Sequence, residues 1–325
     1  MRLFAALCFA AASASVPLLP LSWTAAPLSI PRVLLGTGGG GGGYDAAAWL
    51  EEGGAGFDSA TTYCYTSSNP FCSHVAIGNA LAGAPSSSPF IISKIEPEDY
   101  TAEVGWLTGF GRVISRGILQ DLSVPSVDVV MFHQAGRHAA DSNVRPPCFN
   151  ASAAADGRGT YADCRVATFR ALQAAVAAGA ARAVAVSNWQ QRDLQQVRDA
   201  LGVFPAALEV EVHPYWHEDA LLDFCLANNI TVINYAPLAV SPAHGLLADP
   251  AVVAVAAAHG VTPAQAALRW GLQRTRGVVI PRSANATHMR ENMDVFGFEL
   301  TDAEMAALAG LPQKKIFSVY CQPWC

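Results

Sequence analysis

The sequence is poor in charged residues. Only 14% of its 325 residues are Asp, Glu, Lys or Arg, and the 20 basic residues are scattered among 26 acidic ones. The net charge is -6 and no basic cluster occurs, so the electrostatic footprint of a nucleic-acid-binding protein is missing. Small neutral or anionic molecules remain as the expected partners.

Long apolar runs, metal-ligand spacings and a dinucleotide fingerprint are also missing. The apolar run at residues 3–12 is too short to span a bilayer. No spacing of Cys and His suggests a metal site. The glycine run at 38–43 opens no long helix with a G-x-G-x-x-G pattern, which argues against a Rossmann domain. The run predicts either a flexible turn or a backbone that comes close to a ligand.

The N-terminus has the pattern of an export signal. Arg2 supplies a positive start, residues 3–12 are apolar, and Ala12-Ser13-Ala14 forms a small-residue cleavage site. We therefore expect a signal peptide at residues 1–14, a linker at 15–30 and one folded domain at 31–325. The expected location is the secretory pathway or the exterior, and an organelle or the cytoplasm is the alternative.

Cysteines and glycosylation tripeptides favour the same location. Six of the eight cysteines fall in close pairs: Cys64 with Cys72, Cys148 with Cys164, and Cys321 with Cys325. The second pair brackets a polar loop in which we expect a disulfide, with a reduced pair as the alternative. The acceptor tripeptides begin at Asn150, Asn229 and Asn285. Cys225 lies in an apolar stretch and is predicted to be a buried helix residue.

Short apolar runs recur along the chain, and each precedes a helical pattern. Such alternation is typical of parallel strands joined by crossover helices. The eight runs are 33–36, 56–58, 90–94, 128–133, 183–188, 207–212, 231–236 and 277–281. They predict a single-domain (β/α)8 TIM barrel with a long loop, 134–161, after the fourth strand, and a doubly wound sheet is the alternative.

Four side chains at predicted strand ends can carry out carbonyl chemistry. Asp58 ends the second strand, Tyr63 follows it, Lys94 ends the third strand and His133 ends the fourth. A tyrosine can donate a proton to a carbonyl oxygen if its pKa of about 10 is lowered, and a buried lysine would lower it. Asp58 would hold the lysine charge, and His133 would orient the substrate oxygen.

These residues and seven ordered motifs resemble the aldo-keto reductase family, from about Pro31 to Pro312. The motifs are Gly56-Phe-Asp58-Ser-Ala-Thr-Thr-Tyr63, Ile92-Ser-Lys94, Asp128-Val-Val-Met-Phe-His133, Ala185-Val-Ser-Asn188-Trp, Glu211-Val-His213-Pro-Tyr215, Asn234-Tyr235-Ala-Pro-Leu238 and Ile280-Pro-Arg282-Ser283. The resemblance implies that Asp58, Tyr63, Lys94 and His133 are the catalytic tetrad of an NADP(H)-dependent reductase of aldehydes or ketones that uses no metal.

The resemblance also assigns the cofactor contacts. Ser187 and Asn188 match the residues that bind the nicotinamide amide, and Tyr235 matches the aromatic residue on which the nicotinamide ring stacks. Arg282 and Ser283 match the residues that hold the 2′-phosphate. The remaining cofactor positions are Thr37, Asp58, Glu209, Pro237, Leu238, Asn285, His288 and Asn292.

Several positions depart from the family pattern. Glu209 replaces a usual Gln near the nicotinamide amide, and it can donate a hydrogen bond only when protonated. His288 replaces a usual Arg, so NADPH is the expected cofactor and NADH remains possible. Glu96 and Gln134 replace usual aromatic residues, which predicts a wider and more polar pocket for a small carbonyl substrate. The sequence does not specify the oligomeric state, and a monomer is expected.

Two other functions compete with this interpretation. A barrel glycosidase would use paired carboxylates from Asp58, Glu96, Glu209 and Glu211, but it would leave the nicotinamide motifs without a role. A protein of the same fold that binds NADP(H) without catalysis is the closer alternative. The complete tetrad argues against that alternative, and Glu209 together with the altered pocket argues for it.

Overall fold

A computed structural model describes residues 16–38, 43–64, 72–84, 88–96, 113–135, 161–240 and 245–317. The predicted signal peptide, Cys148, Asn150, the Cys321–Cys325 pair and most of the 134–161 loop lie outside these residues.

Eight parallel strands form the central sheet, in the order in which they occur along the chain. After a hairpin of β1 (Leu18–Pro20) and β2 (Ser29–Pro31), the eight are β3 (Leu35–Gly36), β4 (Gly56–Asp58), β5 (Phe90–Ile95), β6 (Val127–Phe132), β7 (Ala181–Ser187), β8 (Ala207–Glu211), β9 (Thr231–Tyr235) and β10 (Val278–Val279). Each corresponds to one of the eight predicted runs. The TIM-barrel prediction is confirmed.

The first and last strands meet and close the sheet. Val33 forms a parallel bridge with Val279, and the Val279 amide donates to Arg32 O at 3.1 Å. The Gly36 amide donates to Pro281 O at 3.0 Å. Closure removes the exposed strand edges that an open sheet would leave. It also puts all eight C-terminal strand ends around one opening.

The hairpin of β1 and β2 lies in the segment that was expected to be a linker. Its strands pair antiparallel, with Leu18 opposite Pro31. Leu21, Leu28 and Ile30 are buried and belong to the same apolar cluster as the barrel interior. Each hairpin strand has only three residues, so its stability depends on packing against the barrel rather than on its own sequence pattern.

Helices connect the strands and cover the barrel. They are α1 (Ala46–Glu51), α2 (Ser73–Gly83), a π-type helix (Val113–Gln120), α3 (Tyr161–Ala177), α4 (Gln191–Leu201), α5 (Asp219–Ala227), α6 (Pro250–His259), α7 (Pro263–Thr275), α8 (Ala286–Met293) and α9 (Asp302–Ala309). Thr262 and Thr301 form the expected capping boxes, and Asp249 caps α6 ahead of Pro250. Cys225 is buried in α5, as predicted.

Two apolar layers hold the barrel together. Inside it, Ile92, Val129, Met131, Ala185 and Ile233 pack with the hairpin residues. The second layer lies between the strands and the helices. Because successive strand residues face opposite sides, the same strands supply both layers.

No single helix in the described part of the chain is long and apolar enough to cross a membrane. The pair α6 and α7 passes that test only when taken together, across a bend of 91°.

Candidate active site

The C-terminal ends of β4, β5 and β6 bring three predicted catalytic side chains together. Asp58 ends β4, Lys94 is the penultimate residue of β5, and His133 follows β6. Lys94 Nζ lies 2.5 Å from Asp58 Oδ1 and donates to Ser59 O at 3.3 Å. Lys94 is fully buried and Asp58 is 2% exposed. The pair is therefore a buried ion pair at the mouth of the barrel.

Tyr63 ends a short 3-10 turn, Thr61–Tyr63, that follows β4. Its ring centroid lies 5.5 Å from Lys94 Nζ and 5.7 Å from the His133 ring, with the two rings nearly perpendicular. A Cβ atom at Gly38 would lie 2.8 Å from the Tyr63 hydroxyl oxygen, so only glycine permits this approach of the backbone. The four predicted catalytic residues thus form one cluster.

The pKa of Tyr63 was expected to be lowered, and the structure raises it instead. Burial raises the pKa of the Tyr63 hydroxyl well above its usual value, and the carboxylates of Asp58, Glu209 and Glu96 add to the increase. Lys94 lowers the pKa of Tyr63, as expected, but its effect is outweighed. The effect of the lysine can be predicted from the sequence, whereas the burial of Tyr63 beside three carboxyl groups cannot.

Glu209 is a second carboxyl group beside Lys94, next to Asp58. Its Oε1 atom lies 3.3 Å from Lys94 Nζ. Burial lowers the pKa of Lys94, but Asp58 and Glu209 outweigh that effect and raise it. Burial raises the pKa of Glu209 well above its usual value, and Asp58 raises it further while Lys94 opposes. Glu209 is therefore the carboxyl group of this cluster that most readily keeps its proton.

A contact between Glu96 and His133 was not anticipated from the sequence. The imidazole Nδ1 of His133 contacts Glu96 Oε1, and Thr62 Oγ1 donates to the same oxygen at 2.8 Å. Burial raises the pKa of Glu96, but the hydrogen bonds from His133 and Thr62 outweigh it and lower the pKa below its usual value. No local sequence signal joins these residues, since 37 positions separate Glu96 from His133.

The predicted nicotinamide contacts lie at the ends of β7, β8 and β9. Asn188 adopts a left-handed backbone with φ 59°, which asparagine tolerates better than most residues. Its Nδ2 donates to His133 O at 3.1 Å, and its Oδ1 accepts from the Tyr235 hydroxyl at 2.9 Å. Ser187 Oγ donates to Glu209 O at 3.0 Å. The structure brings these four predicted cofactor residues beside the cluster of predicted catalytic residues.

The predicted phosphate contacts follow β10. Arg282 Nη1 donates to Gly38 O at 2.6 Å, and the guanidinium also lies close to Gly43. Ser283 Oγ accepts from the Asn285 amide at 3.0 Å. Asn285 in turn caps α8 by accepting from the Thr287 amide at 2.8 Å. A guanidinium, a hydroxyl and a helix N-terminus on one short segment suit an anionic group.

The remaining predicted contacts are distributed around this site. Thr37 Oγ1 donates to Asp58 O at 2.8 Å, which ties β3 to β4. Gln134 is 5% exposed, directly after His133. The other four are Pro237 (buried), Leu238 (partly buried), His288 (exposed) and Asn292 (buried).

Glu211, the fourth carboxylate that a glycosidase would use, accepts hydrogen bonds from other parts of the chain. Glu211 Oε1 accepts from the Ile316 amide at 2.6 Å and from His213 Nε2 at 3.0 Å. Its other oxygen accepts from the Phe317 amide at 3.0 Å. Glu211 therefore anchors the segment after α9 and does not form a carboxylate pair with Glu209.

The donors and acceptors of this site fit a nicotinamide cofactor. Glu209 Oε2 is buried and has no hydrogen-bond partner among the described residues, so it can accept from a carboxamide N–H. Ser187, Asn188 and Tyr235 lie next to it on neighbouring strand ends. Arg282 and Ser283 offer donors for a phosphate.

A disulfide follows Tyr63 directly. Cys64 is bonded to Cys72, with their Cα atoms 3.8 Å apart. His74 Nε2 lies 2.8 Å from Ser93 Oγ, and its Nδ1 lies 3.0 Å from Gly117 O. Cys64, Cys72 and His74 are the one group of possible metal ligands among the described residues. The two cysteine sulfurs are bonded to each other, and both ring nitrogens of His74 have hydrogen-bond partners.

Comparison with known proteins agrees with the fold and the motifs. The profile described as "Aldo/keto reductase family" matches residues 45–312. An aldo-keto reductase of Mycobacterium sp. (strain MCS) is 32% identical over 272 residues, or 82% of this chain and 81% of the relative. Aldo-keto reductase family 1 member A1 of Bos taurus is 39% identical over 159 residues, about half of each chain.

Solved structures support the same fold. An aldo-keto reductase from a Medee basin deep-sea metagenome has a TM-score of 0.73 at 24% identity, covering 94% of this chain and 99% of its own. The aldose reductase of Schistosoma japonicum has a TM-score of 0.73 at 23% identity, covering 93% and 95%. The fold and these matches define a barrel oxidoreductase. The chain belongs to the aldo/keto reductase family, whose members use nicotinamide cofactors.

Proposed function

We propose that the protein reduces aldehydes or ketones to alcohols, with Tyr63 as the general acid. The observation that carries this proposal is the buried Asp58–Lys94 pair beneath Tyr63, with Lys94 Nζ 5.5 Å from the centre of the Tyr63 ring. An ammonium in that position favours the tyrosinate that forms when the hydroxyl gives up its proton.

Each residue of the cluster has its own role in the proposed reaction. A reduced nicotinamide supplies the hydride when it is bound. Tyr63 donates a proton to the carbonyl oxygen. His133 orients that oxygen through Nε2, which donates when both ring nitrogens carry a proton, because Nδ1 faces Glu96. Asp58 keeps Lys94 charged and in place. Burial of this set excludes water, which strengthens each electrostatic contact.

We infer NADPH as the preferred cofactor. Ser187, Asn188 and Glu209 would hold the carboxamide, and Tyr235 would pack against the ring. Arg282 supports the preference for the phosphorylated cofactor because a guanidinium binds phosphate through two parallel hydrogen bonds.

The substrate class follows from the polar residues beside His133. Glu96 and Gln134 are both buried near the mouth, where their polar atoms favour small, hydroxylated carbonyl compounds over bulky apolar ones. A clear preference for steroid-like ketones would contradict this part of the proposal.

One observation favours the non-catalytic alternative. Burial, together with the carboxylates of Asp58, Glu209 and Glu96, raises the pKa of Tyr63, which makes its hydroxyl a weaker acid. A protein with that property could bind NADP(H) without turnover.

The test measures cofactor binding and turnover separately. NADPH binding is followed by tryptophan fluorescence, and NADPH oxidation is followed with a panel of aldehydes and ketones. Tyr63→Phe should lower kcat about 100-fold or more while it keeps cofactor affinity. Tyr215→Phe is the matched control, because its hydroxyl donates to Asp249 instead. Binding without turnover in the wild type would support the non-catalytic alternative, and full turnover in Tyr63→Phe would reject the mechanism.

We also infer passage through the secretory pathway. The export-like pattern at residues 1–14 and the cysteine pairs support it, because structural disulfides persist in oxidising compartments.

A further inference from the structure

Two carboxyl groups of the site share one cation. Lys94 Nζ lies 2.5 Å from Asp58 Oδ1 and 3.3 Å from Glu209 Oε1, and both carboxyl side chains are buried. Within the described part of the chain, Lys94 is the one cation in contact with either group. Their other oxygens, Asp58 Oδ2 and Glu209 Oε2, are buried and accept no hydrogen bond from a described residue. Two ionised carboxylates here would leave one negative charge out of water without a cation, which is strongly unfavourable.

A single proton removes this excess of negative charge. Burial raises the pKa of Glu209 well above its usual value, and the charge of Asp58 and a hydrogen bond with it raise the pKa further, against the effect of Lys94. Only a proton can join two carboxyl groups in this way, because a carboxylate has acceptors and no donor. Glu209 is therefore the neutral acid of the pair, Asp58 is the carboxylate, and the cluster with Lys94 carries no net charge.

The strands beside Glu209 add no charge to this cluster. Glu209 pairs with Ser187 on β7 and with Ile233 on β9, and neither side chain ionises. Asp58 and Lys94 are the charges that act most strongly on Glu209. The titratable groups around the mouth are Asp58 from β4, Tyr63 from the turn after β4, Lys94 from β5, Glu96 after β5, His133 after β6, Glu211 from β8 and Tyr235 from β9.

We propose that Glu209 couples a proton to the redox state of the bound nicotinamide, keeping it beside the reduced ring and releasing it to solvent beside the oxidised ring. This inference rests on the cofactor placement in the proposed function, in which Glu209 holds the carboxamide. The carboxamide is bonded to the ring itself, so the residue that holds it lies close to any charge on the ring. The reduced ring is neutral, whereas the oxidised ring is a cation that stabilises the Glu209 carboxylate. Glu209 thus offsets the charge that the ring acquires when it gives up its hydride.

Calorimetric titration counts the protons. NADP+ and NADPH are each titrated into the full protein at pH 7 in phosphate and in Tris, two buffers of different ionisation enthalpy. Both cofactors carry the same phosphates, so the difference between them reports on the charge of the ring. NADP+ binding should release up to about one proton per site more than NADPH binding. Between pH 6 and pH 8, the ratio of the two affinities should shift toward NADP+ by up to about tenfold per pH unit.

Two variants assign the proton to Glu209. Glu209→Gln keeps the shape of the neutral acid and has no proton to release, so the difference between the cofactors should disappear and their affinity ratio should become independent of pH. Glu304→Gln is the matched control, because Glu304 pairs with His259 at 3.0 Å instead. Its proton count should stay at the wild-type value. A proton from His133 or Tyr63 would still be released in Glu209→Gln, and that result overturns the inference.

Infrared difference spectroscopy gives a second readout that needs neither turnover nor a variant. The carbonyl stretch of a protonated carboxylic acid should be present with NADPH bound and lost with NADP+ bound. This band decides the matter if Glu209→Gln fails to fold. Equal proton release for the two cofactors, or an acid band that persists with NADP+, overturns the inference.

The outcomes for this inference and for the proposed function are distinguishable. A protein that binds both cofactors and reduces no carbonyl compound fails the proposed function, and the proton difference would still support the role of Glu209. A protein that reduces carbonyl compounds and shows no proton difference overturns the role of Glu209 alone. Failure to bind either cofactor overturns both.

Discussion

Lys94 contacts two carboxyl groups, with its Nζ atom 2.5 Å from Asp58 Oδ1 and 3.3 Å from Glu209 Oε1. All three side chains are buried, and they come from three different strands. A single ammonium therefore stabilises two carboxyl groups out of water. This arrangement couples the stability of the barrel to the chemistry at its mouth.

Removing the ammonium should cost more stability than removing one carboxylate. Lys94→Met leaves Asp58 and Glu209 buried without a cation, and it should lower the free energy of unfolding by about 3 to 5 kcal/mol. Asp58→Asn should cost less, because Glu209 still pairs with Lys94. Urea unfolding of both variants and the wild type measures the difference. Equal losses would mean that Glu209 does not act as a partner of Lys94.

Glu209→Gln should become increasingly stabilising, relative to the wild type, as the pH rises. Burial raises the pKa of Glu209 in the folded protein, so the unfolded chain releases this proton first, from about pH 4.3 upward. The wild type therefore loses stability above that pH and up to the folded-state pKa, whereas the glutamine variant has no such proton to lose. Unfolding free energies of both proteins at pH 5 and pH 8 test this. A difference that stays constant or shrinks with pH contradicts the raised pKa.

Arg282→Ala should affect the binding of NADPH and of NADH differently. Loss of a charge-assisted bond to the 2′-phosphate should weaken NADPH binding by about 2 kcal/mol and leave NADH binding nearly unchanged. Arg290→Ala is the control, because this exposed arginine pairs with Glu52 at 2.7 Å. Fluorescence titration with both cofactors gives the affinities. Equal losses for NADPH and NADH in Arg282→Ala would indicate that its bond to Gly38 O has a structural role only.

The Cys64–Cys72 disulfide should stabilise the segment next to Tyr63. The bond joins residues eight positions apart, and closing a loop of that size contributes about 2.5 kcal/mol in the chain-entropy account. A Cys64→Ser/Cys72→Ser double variant should lose about that much stability. Its kcat should also fall more than its affinity for NADPH, because Cys64 directly follows the proposed acid. Unchanged stability would contradict the loop-closure account of this bond.

Export and a second disulfide, Cys148–Cys164, remain a prediction. Mass mapping of protein from its native host should find residues 1–14 removed and Cys148 bonded to Cys164. It should also find a glycan on Asn150. Free thiols at both cysteines together with an intact N-terminus would reject export. That result would leave the reductase proposal unaffected.

The strands and the convergence of Asp58, Lys94 and His133 could be predicted from the sequence because their signals are local. Each strand is a short apolar run, and the structure has all eight within two residues of the predicted ends. Parallel strands in a barrel end at one opening, so Asp58, Lys94 and His133 had to converge once the strands were identified. The hairpin of β1 and β2 gave no comparable signal, since its few residues are held by Leu21, Leu28 and Ile30 against the barrel interior.

The sequence by itself determined the order of the strands, the residues at their ends and the family. Only the tertiary structure decided how those end residues act on one another. Three features depend on residues that lie far apart in the sequence. They are the contact of Glu96 with His133, the contact of Glu209 with Lys94 and the raised pKa of Tyr63. Interactions of this kind depend on distance and burial, and a pattern read along the chain contains neither.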